Sequence, residues 1–243
     1  MTTGYFTLSQ RLAAVASYVE PGAKVIDVGT DHAYVPIWLL LQGICQRAYA
    51  SDNKQGPLSR AAEDARRWGV EDRLTLCLCD GLTACAPEAV DTVILAGMGG
   101  DTIRGILEAS PWALRRRLIL QPQTHPGELE DWLAGEGVGI VEMRLACDAG
   151  RLYAVWLCLP DAPPLRKTVH PSLFRRKDPL LRSWLEERIR RTQRRLYGME
   201  QARQPDMAAA EAVSAELEEL RAALAQLDAD RPQPDTGRSD AGR

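Results

Sequence analysis

The sequence predicts an α/β protein whose mostly parallel sheet ends in an antiparallel edge and is followed by an antiparallel helical hairpin. Three observations lead there. Short apolar runs and amphipathic stretches alternate five times up to residue 133, two consecutive strand patterns follow, and two heptad-spaced seams occupy the C-terminal quarter. Strands that alternate with helices pair in parallel, and their crossovers cover both faces of the sheet.

The first element is an amphipathic helix over residues 8–19, with Leu8, Leu12, Val15, Ala16 and Val19 at helical spacing and Pro21-Gly22 as its stop. Lys24-Val25-Ile26-Asp27-Val28 is a buried strand that ends at Gly29. A helix over 34–41 tolerates Pro36 in its first turn. Strand 47–51, helix 58–68, strand 74–79, strand 90–96, helix 102–109, strand 117–120 and helix 128–133 continue the alternation. Residues 139–147 and 153–159 form two antiparallel strands about the turn Asp148-Ala149-Gly150. The proline-rich stretch 161–174 reads as a linker between a domain over 1–160 and a hairpin over 175–230, and the Pro-, Asp- and Gly-rich tail 231–243 reads as disordered. The hairpin seams are Leu185, Ile189, Thr192, Leu196, Met199 and Val213, Leu217, Leu220, Leu224, Leu227, the spacing of a short coiled coil.

Composition narrows the class. Of 243 residues, 45% are hydrophobic, which supports a packed core, and the net charge of −3 gives no general basic field. Six cysteines fall mostly in apolar runs, so reduced core thiols are expected and no metal site. Neither a basic-then-apolar leader nor a run of 18 apolar residues occurs, so a cytoplasmic protein without a membrane segment is expected.

Sheets of this kind bind ligands beyond the C-terminal ends of their strands. Strand one ends Asp27-Val28-Gly29-Thr30-Asp31-His32, where a glycine lets backbone approach a ligand and Asp31 could instead cap the next helix. Asp52 closes strand two, 25 residues after Asp27, where a carboxylate accepts hydrogen bonds from both ribose hydroxyls. Asp80-Gly81 closes strand three, where an acid and bare backbone suit an adenine ring. Strand four runs into Gly97-Met98-Gly99-Gly100, which permits positive φ and a flat ligand. The first turn lacks G-x-G-x-x-G, which disfavours a dehydrogenase, and no G-K-[ST] follows the fourth strand to make a phosphate loop.

These segments resemble the bacterial TrmK-type tRNA (adenine-22-N1)-methyltransferases. The resemblance rests on Leu8-Ser9-Gln10-Arg11-Leu12, on Asp27-Val28-Gly29-Thr30-Asp31-His32-Ala33-Tyr34-Val35-Pro36, on Asp80-Gly81-Leu82, on Ala96-Gly97-Met98-Gly99-Gly100 and on Gln121-Pro122. It implies a Rossmann-like class I methyltransferase sheet with S-adenosyl-L-methionine held by Arg11, Asp27, Gly29, His32, Asp52, Asp80, Gly81, Gly97, Met98 and Gly99. It further implies methyl transfer to N1 of an adenine in tRNA, with Asp31 stabilising the developing cation or taking an N6 proton and Tyr34, Gln121 and Gln123 against the base. Gln123 stands where the family carries Asn. A same-fold enzyme for a small molecule or another RNA position, and a non-catalytic RNA-binding or nucleotide-sensing module, are the alternatives.

Affinity for RNA requires concentrated positive charge. Residues 175–203 hold ten Lys or Arg against four acids, and Arg188, Arg191 and Arg195 share one helical face. The partner segment 206–230 holds seven acids and one Arg, so the two helices either neutralise each other or present a phosphate-binding ridge.

Overall fold

Every residue of β1 (Val25–Val28) is buried, because this strand is flanked on both sides and covered on both faces. The computed structural model describes residues 6–165, 168–202 and 206–230, in two compact units that divide between Asp178 and Pro179. The expected tail 231–243 and the Pro205 break lie outside the described residues.

In the first unit α1 (Gln10–Ala16) precedes β1, and α2 (Tyr34–Leu41), β2 (Ala48–Asp52), α3 (Gln55–Arg67), β3 (Leu74–Leu78) and β4 (Thr92–Met98) follow it. Next come α4 (Gly100–Ala109), β5 (Arg117–Pro122), α5 (Pro126–Gly135), β6 (Val138–Asp148), β7 (Arg151–Pro160) and α6 (Pro171–Arg175). The sheet order is β3-β2-β1-β4-β5-β7-β6, with β1 to β5 parallel and β7 antiparallel to both of its neighbours. The antiparallel pair expected at the edge is present, with β7 inside and β6 as the border.

Alternation along the strands divides the core. Val25, Ala48, Ala50, Ile94 and Ile119 pack with Val15 and Ala16 of α1, Ile37, Leu39 and Leu40 of α2, and Ala61 and Ala65 of α3. Their neighbours Ile26, Val93, Leu95, Leu118 and Leu120 are buried on the opposite face. Helix α3 starts three residues earlier than the sequence suggested, because Pro57 sits in its first turn, where a missing N–H is harmless. At its entry the Asp52 carboxylate accepts the Lys54 N–H at 2.8 Å.

Among the described residues of the stretch 161–174, Val169, His170, Ser172 and Leu173 are buried against the open edge of β6, as those of a free linker would not be. The Met143 N–H donates to Ser172 Oγ (2.9 Å), Ser172 Oγ donates to the Met143 carbonyl (3.2 Å), and the Leu145 N–H donates to the Asp178 carboxylate (3.2 Å). His170 Nε2 contacts the Ile140 carbonyl at 3.1 Å. An uncovered edge strand is a template for pairing with other chains. The first unit therefore extends past residue 160 to Asp178.

The second unit contains α7 (Leu181–Glu200) and α8 (Met207–Ala229). Leu181, Trp184, Leu185 and Thr192 of α7 and Val213, Leu217 and Leu220 of α8 are its buried residues. Arg182 at the start of α7 pairs with Asp228 at the end of α8, as an antiparallel hairpin requires.

Candidate active site

Strand β1 has β2 on one side and β4 on the other, so the chain leaves the sheet in opposite directions here and a crevice opens beyond the strand ends. Its floor is bare backbone. Gly29 (φ +71°) donates its N–H to the Ser51 carbonyl at 2.7 Å, and a Cβ on it would lie 2.2 Å from Cε of Met98. Gly97 (φ +82°) sits in the β-bulge between Ala96 and Met98, and its Cβ would meet the Arg11 guanidinium at 3.4 Å. Gly81 (φ +58°) ends the β3 side, where its carbonyl accepts a hydrogen bond from Ser51 Oγ at 2.9 Å. Gly99 and Gly100 serve loop packing: a Cβ on Gly99 would reach Thr124 Oγ1 at 2.9 Å, and one on Gly100 the carbonyls of Thr124 and His125 at 2.8 Å.

The acids differ in environment. Asp27 is 9% exposed, and burial pushes its carboxyl up to about 7 despite the opposing Thr30 hydrogen bond and the Arg11 charge. Asp52 is half-buried and spends one oxygen on Lys54, which leaves the other without a hydrogen-bond partner among the described residues. Asp80 is exposed, and its carbonyl accepts the Thr83 hydroxyl at 2.9 Å.

Behind Gly97, Arg11 donates to Oε1 of Gln121 at 3.1 Å, lies 3.9 Å from the Asp148 carboxylate and stands 5.6 Å from the centre of the Tyr153 ring. Gln121 is fully buried, so its amide holds the guanidinium and does not reach the crevice surface. Gln123 is exposed two residues on, its N–H donating to the Met98 carbonyl at 2.8 Å, and His125 (φ +49°) pairs with Asp101 at 2.7 Å. These contacts bring the β4–α4 and β5–α5 loops together.

Asp31, His32 and Tyr34 gather on the opposite rim, where Ala33 takes a left-handed φ of +51° and donates its N–H to Thr30 Oγ1 (2.9 Å). Helix α3 supplies two partners that were not singled out from the sequence, Arg60 and Asp64. Their spacing of four places them on one helical face, which was the available signal. Arg60 pairs with Asp31, and its hydrogen bond holds that carboxyl below the usual range. Asp64 contacts Nδ1 of His32 at 2.7 Å. The His32 ring stacks on Tyr34 (4.8 Å, 12°), and Phe6 packs against Tyr34 at 5.7 Å, so Tyr34 already has a stacking partner.

In the second unit, each arginine of the expected ridge has an acidic partner. Arg188 pairs with Glu216 at 2.6 Å, Arg195 approaches the same carboxylate at 4.0 Å, and Arg191 pairs with Glu187. Arg190 and Arg194 are exposed and form no ion pair among the described residues, and Tyr197, 66% exposed, is three residues further along. The six cysteines are free, no cluster of metal-ligating side chains occurs among the described residues, and no described helix is long and apolar enough to cross a membrane.

Comparison with known proteins agrees with this geometry. The tRNA (adenine(22)-N(1))-methyltransferase of Bacillus subtilis is 34% identical over 150 residues, which is 61% of this chain and 63% of that protein, so the match spans less than two thirds of its relative. A Streptococcus pneumoniae protein described as a candidate tRNA (m1A22) methyltransferase superposes with a TM-score of 0.78 at 28% identity, over 90% of this chain and all of its own. A second structure of it holds S-adenosyl-L-methionine (TM-score 0.77). The Bacillus subtilis M1A22 tRNA methyltransferase structure gives 0.72 at 27% identity, over 92% of this chain and 98% of its own. The methyltransferase-domain family matches residues 8–156, more than half of the sequence, and it is to this family that the chain belongs, with TrmK-type enzymes as its relatives.

Proposed function

We propose that the protein transfers a methyl group from S-adenosyl-L-methionine to N1 of an adenine in tRNA, position 22 by analogy with its relatives. The single observation that carries this reading is the crevice at the β1/β4 switch point. There, acids at the ends of β1, β2 and β3 meet the positive-φ glycines Gly29, Gly81 and Gly97. A Cβ at Gly29 would run into Met98, and Gly29 and Gly97 both hold a positive φ that other residues rarely adopt. The relative crystallised with S-adenosyl-L-methionine shares this fold over its whole length. Asp27, Gly29 and Arg11 would hold the methionine end, the second carboxylate oxygen of Asp52 the ribose, and Asp80-Gly81 the adenine. The bound cofactor would supply a sulfonium-activated methyl group.

The chain's own contribution is positioning and charge. Adenine N1 has an in-plane lone pair, so no base is needed before it reacts, and alignment alone contributes about 7–11 kcal/mol in favourable cases. The base gains positive charge as it is methylated, and a fixed carboxylate beside it stabilises that charge. Asp31 suits this role: Arg60 keeps it ionised, which makes it a poor proton acceptor but a lasting hydrogen-bond partner. Exposed Arg190 and Arg194, with Tyr197 available for stacking, are the residues of the basic helix best suited to RNA, because Arg188, Arg191 and Arg195 are drawn to acids. This reading assigns catalysis to the unit up to Asp178, RNA affinity to the hairpin, and the protein to the cytoplasm.

The test is nucleoside mass spectrometry of unmodified tRNA incubated with the protein and labelled cofactor. Labelled 1-methyladenosine is the expected product, lost when the target adenine is replaced. Label in a small-molecule pool, another nucleoside or a protein, with none in 1-methyladenosine, would overturn the reading.

A further inference from the structure

We propose that Asp64 is a positioning residue that fixes the His32 imidazole with Nε2 free to accept a hydrogen bond from the 6-amino group of the target adenine. This rests on the adenine reading above.

An ionised aspartate only accepts hydrogen bonds, so its 2.7 Å contact makes Nδ1 of His32 the donor. The neutral ring then carries its lone pair on Nε2. Two contacts fix the ring: Asp64 sets its direction, and the near-parallel stack on Tyr34 sets its plane. Asp64 stands on helix α3, with its side chain 20% exposed, so the constraint comes from a rigid element and not from the loop itself. The charged and titratable groups facing His32 are Asp64 from α3, Asp31 from its own loop, Arg60 through Asp31, and the Tyr34 phenol.

The arrangement matches one chemical group. Nε2 lies 3.7 Å from Oδ2 of Asp31, so a lone pair and a carboxylate stand side by side on one rim. An exocyclic amino group has two N–H donors for these two acceptors. Those donors strengthen as the ring becomes cationic, whereas a guanine presents an oxygen at this position and would be repelled. The pair thus favours adenine over guanine as well as assisting its reaction, and neither bond moves a proton.

Nitrogen-15 NMR of the full chain tests the tautomer directly, because only His32, His125 and His170 contribute and His32→Gln assigns the signal. The expected neutral form carries its proton on Nδ1; a proton on Nε2 would overturn the proposal. The second arm is kinetic. Asp64→Asn is expected to reduce kcat at least tenfold, with cofactor KM within twofold. Asp64→Glu should recover part of kcat. An unchanged kcat in Asp64→Asn, or a loss of kcat matched by folding defects in Asp64→Glu as well, would overturn the assignment. If the wild type methylates no tRNA, the activity reading fails on its own, and the tautomer still decides the role of Asp64.

Discussion

Replacing Asp27 by Asn should stabilise the fold while weakening cofactor binding. In the folded chain Asp27 is almost inaccessible, and burial raises its carboxyl from 3.8 to about 7. Between those values the folded state keeps a proton that the unfolded state has released, so folding stability falls as pH rises through this window. Each unit is worth about 1.36 kcal/mol, and the window of roughly three units sets an upper bound of about 4 kcal/mol at pH 8. Asn cannot ionise and retains a hydrogen-bond partner for Thr30. Asp27→Asn is expected to be more stable than wild type by about 2–4 kcal/mol at pH 8, a melting point higher by roughly 5–15 °C for a chain of this size. The two proteins should melt together near pH 4, where wild-type Asp27 is neutral as well. Thermal melts across pH 4–8 with calorimetric titration of cofactor make the assay. Equal melting points at pH 8, or a variant less stable there than wild type, would refute the claim that buried charge is held at this position for binding.

Gly29→Val should reduce cofactor affinity more than tenfold with the fold intact by circular dichroism, because φ of +71° disfavours a branched residue and its Cβ would displace Met98. Ser172→Ala should destabilise the first unit by about 1–3 kcal/mol in urea unfolding, since the buried Met143 N–H loses its acceptor at the sheet edge. Reversing Arg190 and Arg194 to Glu should weaken tRNA binding and flatten its salt dependence, while methylation of a minimal target fragment continues; an unchanged binding isotherm would assign the hairpin another role.

The sheet was legible because its signal is local: short apolar runs closed by glycine, with acids at the strand ends, can be read without contacts. The order of β7 and β6 and the role of 161–174 were not. A strand pattern does not say which member of a hairpin faces the sheet, and the prolines in that segment hid side chains that cap the β6 edge. Asp27, Gly29, Asp52 and Gly97 stood out because strand ends mark the crevice. Arg60 and Asp64 did not, since their partners Asp31 and His32 lie about thirty residues away and nothing in an amphipathic helix distinguishes paired charges from solvated ones. The heptad seams gave the hairpin, but the arginine assignment depended on which acids of α8 stand opposite, which only the folded hairpin shows.

The central claim is that the β1/β4 crevice holds a sulfonium nucleoside. Calorimetric titration of the full chain with S-adenosyl-L-homocysteine measures it most directly, with Asp52→Ala alongside. One site per chain is expected, with affinity at least tenfold weaker in the variant. Heats indistinguishable from dilution in the wild type, or binding that ignores the loss of Asp52, would contradict it.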